Sequence, residues 1–321
     1  MTRYVIVRLL YVVPQLLGVA AIMVVLVYAV PGDPIIALVG EFPAPPEYIE
    51  TLRRELGLDQ PLYVQFFLYL RNLLTGDLGF SFAYRAPVIE VIAERLAPTL
   101  LLAGTAFVIG TVGGVVFGLA SGYWHLTPID ATISVAALAG FAIPSFWLGQ
   151  LFILFFAVQL AWLPAGGMMS LRSSPEGLAR IVSITRHLIL PALTLSFSYL
   201  SLTTRLMRSS TIEVMHQDYI RTSRAKGIAD FTVVVRHALP NAFLPVLTSM
   251  GYYLGFLLSG SVLVESVFAW PGLGRLLYDS LFRRDYPTLI GIFIVTTLAA
   301  IIGNLLADIG YARIDPRVKY S

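Results

Sequence analysis

The chain has 321 residues, 57% of them hydrophobic and 13% charged, with a formal net charge of +3. Soluble domains carry about 25% charged residues, so this chain cannot build the polar surface a water-soluble fold of its size needs, and lipid must face much of it. It has no cysteine, which excludes disulfides, thiol nucleophiles and thiolate metal sites, and its four scattered histidines suggest no metal cluster.

Six apolar spans follow one another, at roughly 9–30, 98–122, 131–162, 187–204, 241–264 and 287–310. Each can cross a hydrocarbon core of about 30 Å as a helix. The first five contain no Asp, Glu, Lys or Arg within those limits, and the sixth contains only Asp308. Arg3 and Arg8 precede the first span like the basic region of a signal peptide. The apolar run behind them is too long for a signal core and no A-x-A site follows, so it reads as an uncleaved first helix.

Segment 31–97 comes next. Two prolines and a glycine in PGDP (31–34) end the first span. The stretch from Pro46 to Leu74 has helical character, with Tyr63, Phe66, Phe67 and Leu70 recurring on one face. It is expected to lie on the membrane surface or on the other helices. On the second span, Gly110, Gly114, Gly118 and Gly122 recur every four residues. On the fifth, Gly251, Gly255 and Ser259 repeat the pattern. Such stripes let another helix backbone approach closely. They serve either tight packing within one subunit or faces that slide during a transport cycle.

Segment 205–240 is the most polar part between spans. Ser210 and Glu213 fit a capping box. Ile212, Met215, Tyr219 and Thr222 fall along one helical face, with Asp218, Arg221 and Arg224 mostly elsewhere. Gly227 stands where a left-handed C-cap is expected. Asp230 can cap a second short helix, 231–238, and Pro240 marks the entry into the fifth span. The segment therefore reads as helix, glycine turn, helix. It is too short to fold alone, and its apolar face needs a partner. A lipid anchor would explain the arginines but neither the caps nor the glycine. Nucleic-acid binding does not suit basic residues tethered to a bilayer beside acidic ones. Docking to a cytoplasmic protein fits every feature.

Orientation follows from Lys and Arg in short loops. With the N-terminus inside, inner and outer segments each hold 11. Segment 31–97 is long enough to translocate largely regardless of charge, and without it the balance is 11 inside against 6 outside. Both termini are then cytoplasmic.

The stretch EVMHQDYIRTSRAKGIADFTVVVRHALPNA resembles the EAA loop of ABC-transporter permeases. The charged run Arg221–Lys226 containing Ala225, then Gly227, then Leu239-Pro240 a dozen residues later, matches the variant typical of the peptide-transport branch. Further likeness to that branch lies in PGDP, LGLDQPLYVQFFLYLRNLLTGDLGFS (56–81), LAPTLLL (96–102), IPSFWLGQLFILFFAVQLAWLPAGG (143–167), HLILPALTL (187–195), VESVFAWPGLG (264–274), RDYP (284–287) and the terminal IDPR (314–317). By these motifs the chain is similar to the dipeptide/oligopeptide permease family, and its long first outer loop resembles the B-type subunit.

The resemblance implies an all-α polytopic membrane protein: one permease domain over 1–321, six transmembrane helices, the type I ABC importer fold, in a bacterial or archaeal cytoplasmic membrane. It implies that the 205–240 loop is the coupling helix for a separate ATPase. The residues it would use are Glu213, Asp218, Tyr219, Arg221, Thr222, Arg224, Ala225, Lys226, Gly227, Leu239 and Pro240. The implied partners are a C-type permease subunit, two ATPase subunits or domains that bind ATP and Mg, an extracytoplasmic solute-binding protein and membrane lipid, with no cofactor in this chain. Trp270, Pro271, Gly272 and Gly274 lie at the outer end of the fifth span. They offer either a docking place for the binding protein or a Pro-Gly turn that ends the helix.

Catalytic signatures are missing. The sequence has no G-x-x-x-x-G-K-[ST], no H-E-x-x-H and no G-x-S-x-G. An intramembrane hydrolase, or a proton-coupled carrier, would need ionisable groups inside the spans. The chain is thus expected to supply a pathway and another chain the energy. ATP binding would pull the coupling helices and bias the permease pair from inward-facing to outward-facing. Dipeptides, oligopeptides, glutathione and nickel chelates are all handled by such permeases, and no residue here chooses among them.

Overall fold

The fold is seen in a computed structural model, which describes residues 11, 14–15, 17–22, 45–55, 59–81, 83–170, 176–256 and 261–314. PGDP, Ser259, most of the first span and residues 315–317 of IDPR lie outside the described residues.

Helices α1 (Pro46–Glu55) and α2 (Leu62–Leu74) occupy the stretch expected to be helical from 46 to 74. Pro61 stands at the N-cap of α2 with φ −55°, a dihedral its ring fixes in advance. Tyr63 and Phe67 of the expected face are exposed while Phe66 and Leu70 are half-buried, so that face is only partly covered by the chain. A short antiparallel hairpin follows, β1 (Phe80–Ser81) and β2 (Ala86–Pro87), with Phe80 opposite Pro87.

Directly after Pro87 the chain enters α3 (Val88–Tyr123). A turn with Leu126 at φ 63° leads to α4 (Pro128–Ala142), then α5 (Ser145–Phe152), which continues as a π-helix over Ile153–Gln159. The single span expected over 131–162 is therefore corrected. The chain bends by 103° between α4 and α5, because Pro144 cannot donate to the helical ladder and pushes Ile143 out of the α region, to ψ 124°.

Helix α6 (Gly177–Met215) also corrects an expectation. The fourth span, read from hydropathy as 187–204, is the middle of one 39-residue helix. Next come α7 (Asp218–Ala225), α8 (Asp230–Thr232) running into a π-helix over Val233–Ala238, α9 (Leu239–Ala242) and α10 (Leu244–Phe256). The described residues end with α11 (Val262–Val267), α12 (Leu273–Phe282) and α13 (Tyr286–Ile314). Among the described residues, α3, α6 and α13 are long and apolar enough to cross a membrane, and counting each of two bent pairs as one span gives up to five.

The α3–α6 pair organises the molecule. A Cβ on Gly110 would lie 2.6 Å from the Ser196 carbonyl, and one on Gly114 2.5 Å from the Thr203 Cβ. One on Gly118 would meet the Met207 Cβ at 2.5 Å, and one on Gly122 the Thr211 Cβ at 2.6 Å. The stripe is thus a backbone-to-backbone seam inside one subunit, and it runs through parallel helices because partner numbers rise together. Two parallel crossings require a return between them, which the bent α4–α5 path provides. Of the second stripe, Gly251 and Gly255 lie in α10.

At the hairpin end, Leu78, Val88, Ile92, Leu273, Leu276 and Ile292 form one core. The RDYP motif fastens it. Buried Asp285 accepts hydroxyl hydrogen bonds from Ser81 (2.5 Å) and Thr288 (2.7 Å), tying the hairpin to the start of α13.

Candidate functional site

The far end of the α3–α6 pair carries the polar segment singled out by its charges. Its helical pieces differ from expectation in one respect. Helix α6 passes straight through Ser210 and ends at Met215, so Ser210 and Glu213 form no capping box. The turns before Ser210 already continue the helical ladder, leaving no free N–H groups to cap. The face of Ile212, Met215, Tyr219 and Thr222 is interrupted by the turn at His216–Gln217.

What replaces that face is a small folded hairpin with its own core. Ile220 is the buried residue of α7 and packs on Val233 and Ala238, with Val214, Met215 and Ile228 around them. Ile220 is not on the expected face, of which Ile212 and Met215 are half-buried while Tyr219 and Thr222 stay exposed. Gly227 stands at φ 74°, in the left-handed region that a β-carbon disfavours, and its N–H donates to the Arg224 carbonyl at 2.9 Å. Asp230 does not cap; Ala229 holds that position. Its carboxylate instead accepts from Arg224 Nε at 2.8 Å and from the Tyr123 hydroxyl at the end of α3. Asn241 Nδ2 donates to the Tyr219 hydroxyl at 3.1 Å, joining α7 to α9. Pro240 lies inside the continuous helical stretch Asp230–Ala242, just after its π-helix, where its missing N–H leaves the ladder one donor short.

The outward side of this hairpin is polar and open. Asp218, Arg221, Thr222, Arg224, Ala225, Lys226 and Gly227 are all exposed, as are Glu213 and Pro240, while Leu239 is half-buried. Among the described residues, no atom beyond its chain neighbours lies within 4 Å of a Cβ built on Gly227. Phe231, which hydropathy and motif both overlooked, is 79% exposed beside them.

A second cluster escaped the sequence reading. Asp130, in the first turn of α4, is buried and accepts from Arg208 of α6 through Nε at 2.6 Å and Nη2 at 2.9 Å. It also accepts from the Ser121 hydroxyl at 2.6 Å, the Ser134 hydroxyl at 3.2 Å and the Leu126 N–H at 3.1 Å, and His125 Nδ1 stands 3.1 Å away. A bidentate arginine–carboxylate pair at a helix N-terminus is the strong form of this interaction. The available signal was a lone acid before one apolar run and one of two arginines, Arg205 and Arg208, after the next.

The WPGLG motif is not a surface. Trp270, Gly272 and Gly274 are buried and Pro271 is half-buried, so the chain itself covers the residues expected to meet a binding protein. Trp270 Nε1 donates to the Pro98 carbonyl of α3 at 2.9 Å. The buried Glu265 carboxylate accepts from the Thr99 hydroxyl (2.9 Å), the Ser261 hydroxyl (2.6 Å) and the Arg275 N–H (3.0 Å). A Cβ on Gly272 would fall 2.4 Å from that carboxyl. The motif folds back and plugs onto α3, so it is more than the turn that ends a helix.

Long apolar helices locked in parallel and a preformed polar hairpin projecting from one end suit a membrane permease subunit, a protein that offers a path. The chain belongs to the binding-protein-dependent transport system inner membrane components: that family's model matches residues 114–320, and its N-terminal companion matches 1–103. It is a multi-pass inner-membrane permease subunit of an ABC importer, non-catalytic, with ATP hydrolysed by separate subunits.

Two relatives are the glutathione transport system permease proteins GsiC of Salmonella choleraesuis (strain SC-B67) and of Escherichia coli (strain K12). They are 42% and 41% identical over 320 residues, covering 100% of this chain and of each relative. In structure the chain is similar to the MetNI methionine ABC transporter in an inward-facing conformation, with a TM-score of 0.57 at 16% identity over 70% of this chain and 96% of that one. It is also similar to an amino acid ABC transporter, with a TM-score of 0.51 at 17% identity over 70% of this chain and 94% of that one.

Proposed function

We propose that this chain forms half of the translocation pathway of an importer for glutathione or other short peptides. Full-length identity of 42% to a glutathione transport permease is the observation that carries the reading. Glutathione is itself a tripeptide, so both cargoes belong to one chemical class. The reading includes six membrane spans with both termini in the cytoplasm, a second, C-type permease subunit, two ATPase sites and an extracytoplasmic binding protein that selects the cargo.

The exposed α7–α8 hairpin is the coupling element in this reading. Arg221, Arg224 and Lys226 meet acidic groups at the rim of an ATPase groove, Ala225 and Gly227 allow close approach, and Glu213, Asp218, Tyr219, Thr222, Leu239 and Pro240 complete the element. The preformed core under Ile220 and the open space over Gly227 support it, because a lipid anchor needs neither.

One experiment tests pathway and coupling together: uptake of radiolabelled glutathione into proteoliposomes containing the four-subunit complex and its binding protein. The unmodified complex should accumulate glutathione. Gly227→Val should abolish most uptake, since φ 74° costs a β-branched residue about 1–2 kcal/mol and the turn reopens. Gly227→Asn, which tolerates that region, should retain it. Equal uptake by both variants would reduce the hairpin to a topological anchor. No glutathione uptake by the unmodified complex, with dipeptide uptake intact, would move the cargo to other peptides.

A further inference from the structure

We infer that Tyr123 and Asp230 are positioning residues that make the 218–238 hairpin and the α3–α6 pair move as one body. The inference rests on the reading of that hairpin as the coupling element. The hairpin is already joined to α6, by the turn at His216–Gln217 and by Val214 and Met215 packing on Ile220, and to α9, into which its π-helix runs. Its polar tie to α3 is the Asp230 carboxylate. One oxygen takes the hydroxyl of Tyr123, the last residue of α3, and the other takes Arg224 Nε at 2.8 Å. Arg224 precedes Gly227 by three residues and Asp230 follows it by three, so the same carboxylate closes the glycine turn and pins it to α3.

The clasp has this effect only if the end of α3 is itself fixed. Two features fix it. The Gly110–Gly122 seam holds α3 in backbone contact with α6, and Asp130 holds the turn after α3 to Arg208 of α6. A push on the hairpin then reaches α3 as well as α6. The contribution is geometric more than energetic. Arg224 and Asp230 side chains are 43% and 45% exposed, and half-exposed ion pairs add little to stability. Removing one hydroxyl should therefore leave the fold intact and loosen only the placement, which separates positioning from structure.

The test uses the assembled complex in proteoliposomes. Because the chain has no cysteine, spin labels at Phe231→Cys and Val116→Cys, both exposed positions, report the hairpin-to-α3 distance without any cargo. A single narrow distance distribution is expected in that background, and a broadened or split one after Tyr123→Phe. In unlabelled complex, Tyr123→Phe should raise the ATP hydrolysed per glutathione moved about fivefold, the scale of one hydrogen bond of typical net strength. Asp230→Ala combined with Tyr123→Phe should be no worse than Asp230→Ala alone, since both break one contact.

An unchanged distance distribution in Tyr123→Phe overturns the proposal. So does loss of the ATPase subunits or a fall in melting temperature of several degrees, which would make the hydroxyl a structural tie. If the unmodified complex moves no glutathione, the cargo reading falls, and the label distances alone decide the clasp.

Discussion

Gly118→Ala is expected to destabilise the permease by about 1–3 kcal/mol, the range for forcing extra atoms into a closed seam, while Gly104→Ala on the same helix is expected to be neutral or to stabilise it by up to about 1 kcal/mol. The two substitutions add the same methyl group to α3. At Gly118 it would lie 2.5 Å from the Met207 Cβ, 2.6 Å from the Thr204 carbonyl oxygen and 3.1 Å from the Arg208 nitrogen. Two of those atoms are backbone, so relief requires the helices to separate along their length. At Gly104 no atom of the described residues lies within 4 Å, and alanine contributes only its better helix propensity. Thermal unfolding of the purified variants in detergent, followed by tryptophan fluorescence and monodisperse elution, would measure both. Equal melting temperatures would show that α3 and α6 are not in backbone contact.

Asp130→Ala is expected to cost about 3 kcal/mol. That is the lower end of the range for breaking a buried ion pair, because the Arg208 side chain remains 30% exposed and can recruit water. The loss is larger than the pair alone suggests. The Leu126 N–H, held at φ 63° by its bond to Asp130, and the Ser121 hydroxyl lose their acceptor together. Arg208→Lys should cost less than Asp130→Ala, since an ammonium keeps the charge but cannot make both the Nε and Nη2 contacts. The pair Asp130→Ala with Arg208→Ala should cost clearly less than the sum of the singles, because neither partner is then left unpaired. Chemical or thermal unfolding of the four proteins gives the cycle, and strict additivity would mean that the two side chains do not interact.

Both predictions concern the same mechanical unit. The glycine seam sets the distance between α3 and α6, the Asp130–Arg208 pair sets their register at one end, and the Trp270–Pro98 and Thr99–Glu265 bonds hold the other end of α3. A pathway that must alternate between two states needs bodies that do not deform while they move.

Much of this could be read from the chain before any fold was known. Membrane class follows from runs of some twenty apolar residues without charge, because transfer into lipid is decided residue by residue. The four-residue glycine period announces a close helix contact, and Gly227 announces a left-handed turn, because helix periodicity and φ preference are local properties. The family likeness rests on short motifs of the same kind.

What the sequence by itself could not determine is where each local signal ends and what covers it. Hydropathy stops at 204 because it measures affinity for lipid, yet α6 continues to Met215, since polar residues packed against protein extend a helix as well as apolar ones do. Ser210 and Glu213 have the composition of a helix start, but a helix already running through them leaves nothing to cap. Trp270 and Pro271 look like an exposed turn until the chain folds back onto Pro98, 172 residues earlier. Asp130 and Arg208 are 78 residues apart, and only the packing of α4's first turn on α6 makes them one site. Contacts over such separations depend on how the helices meet in three dimensions, so tertiary structure alone decided them.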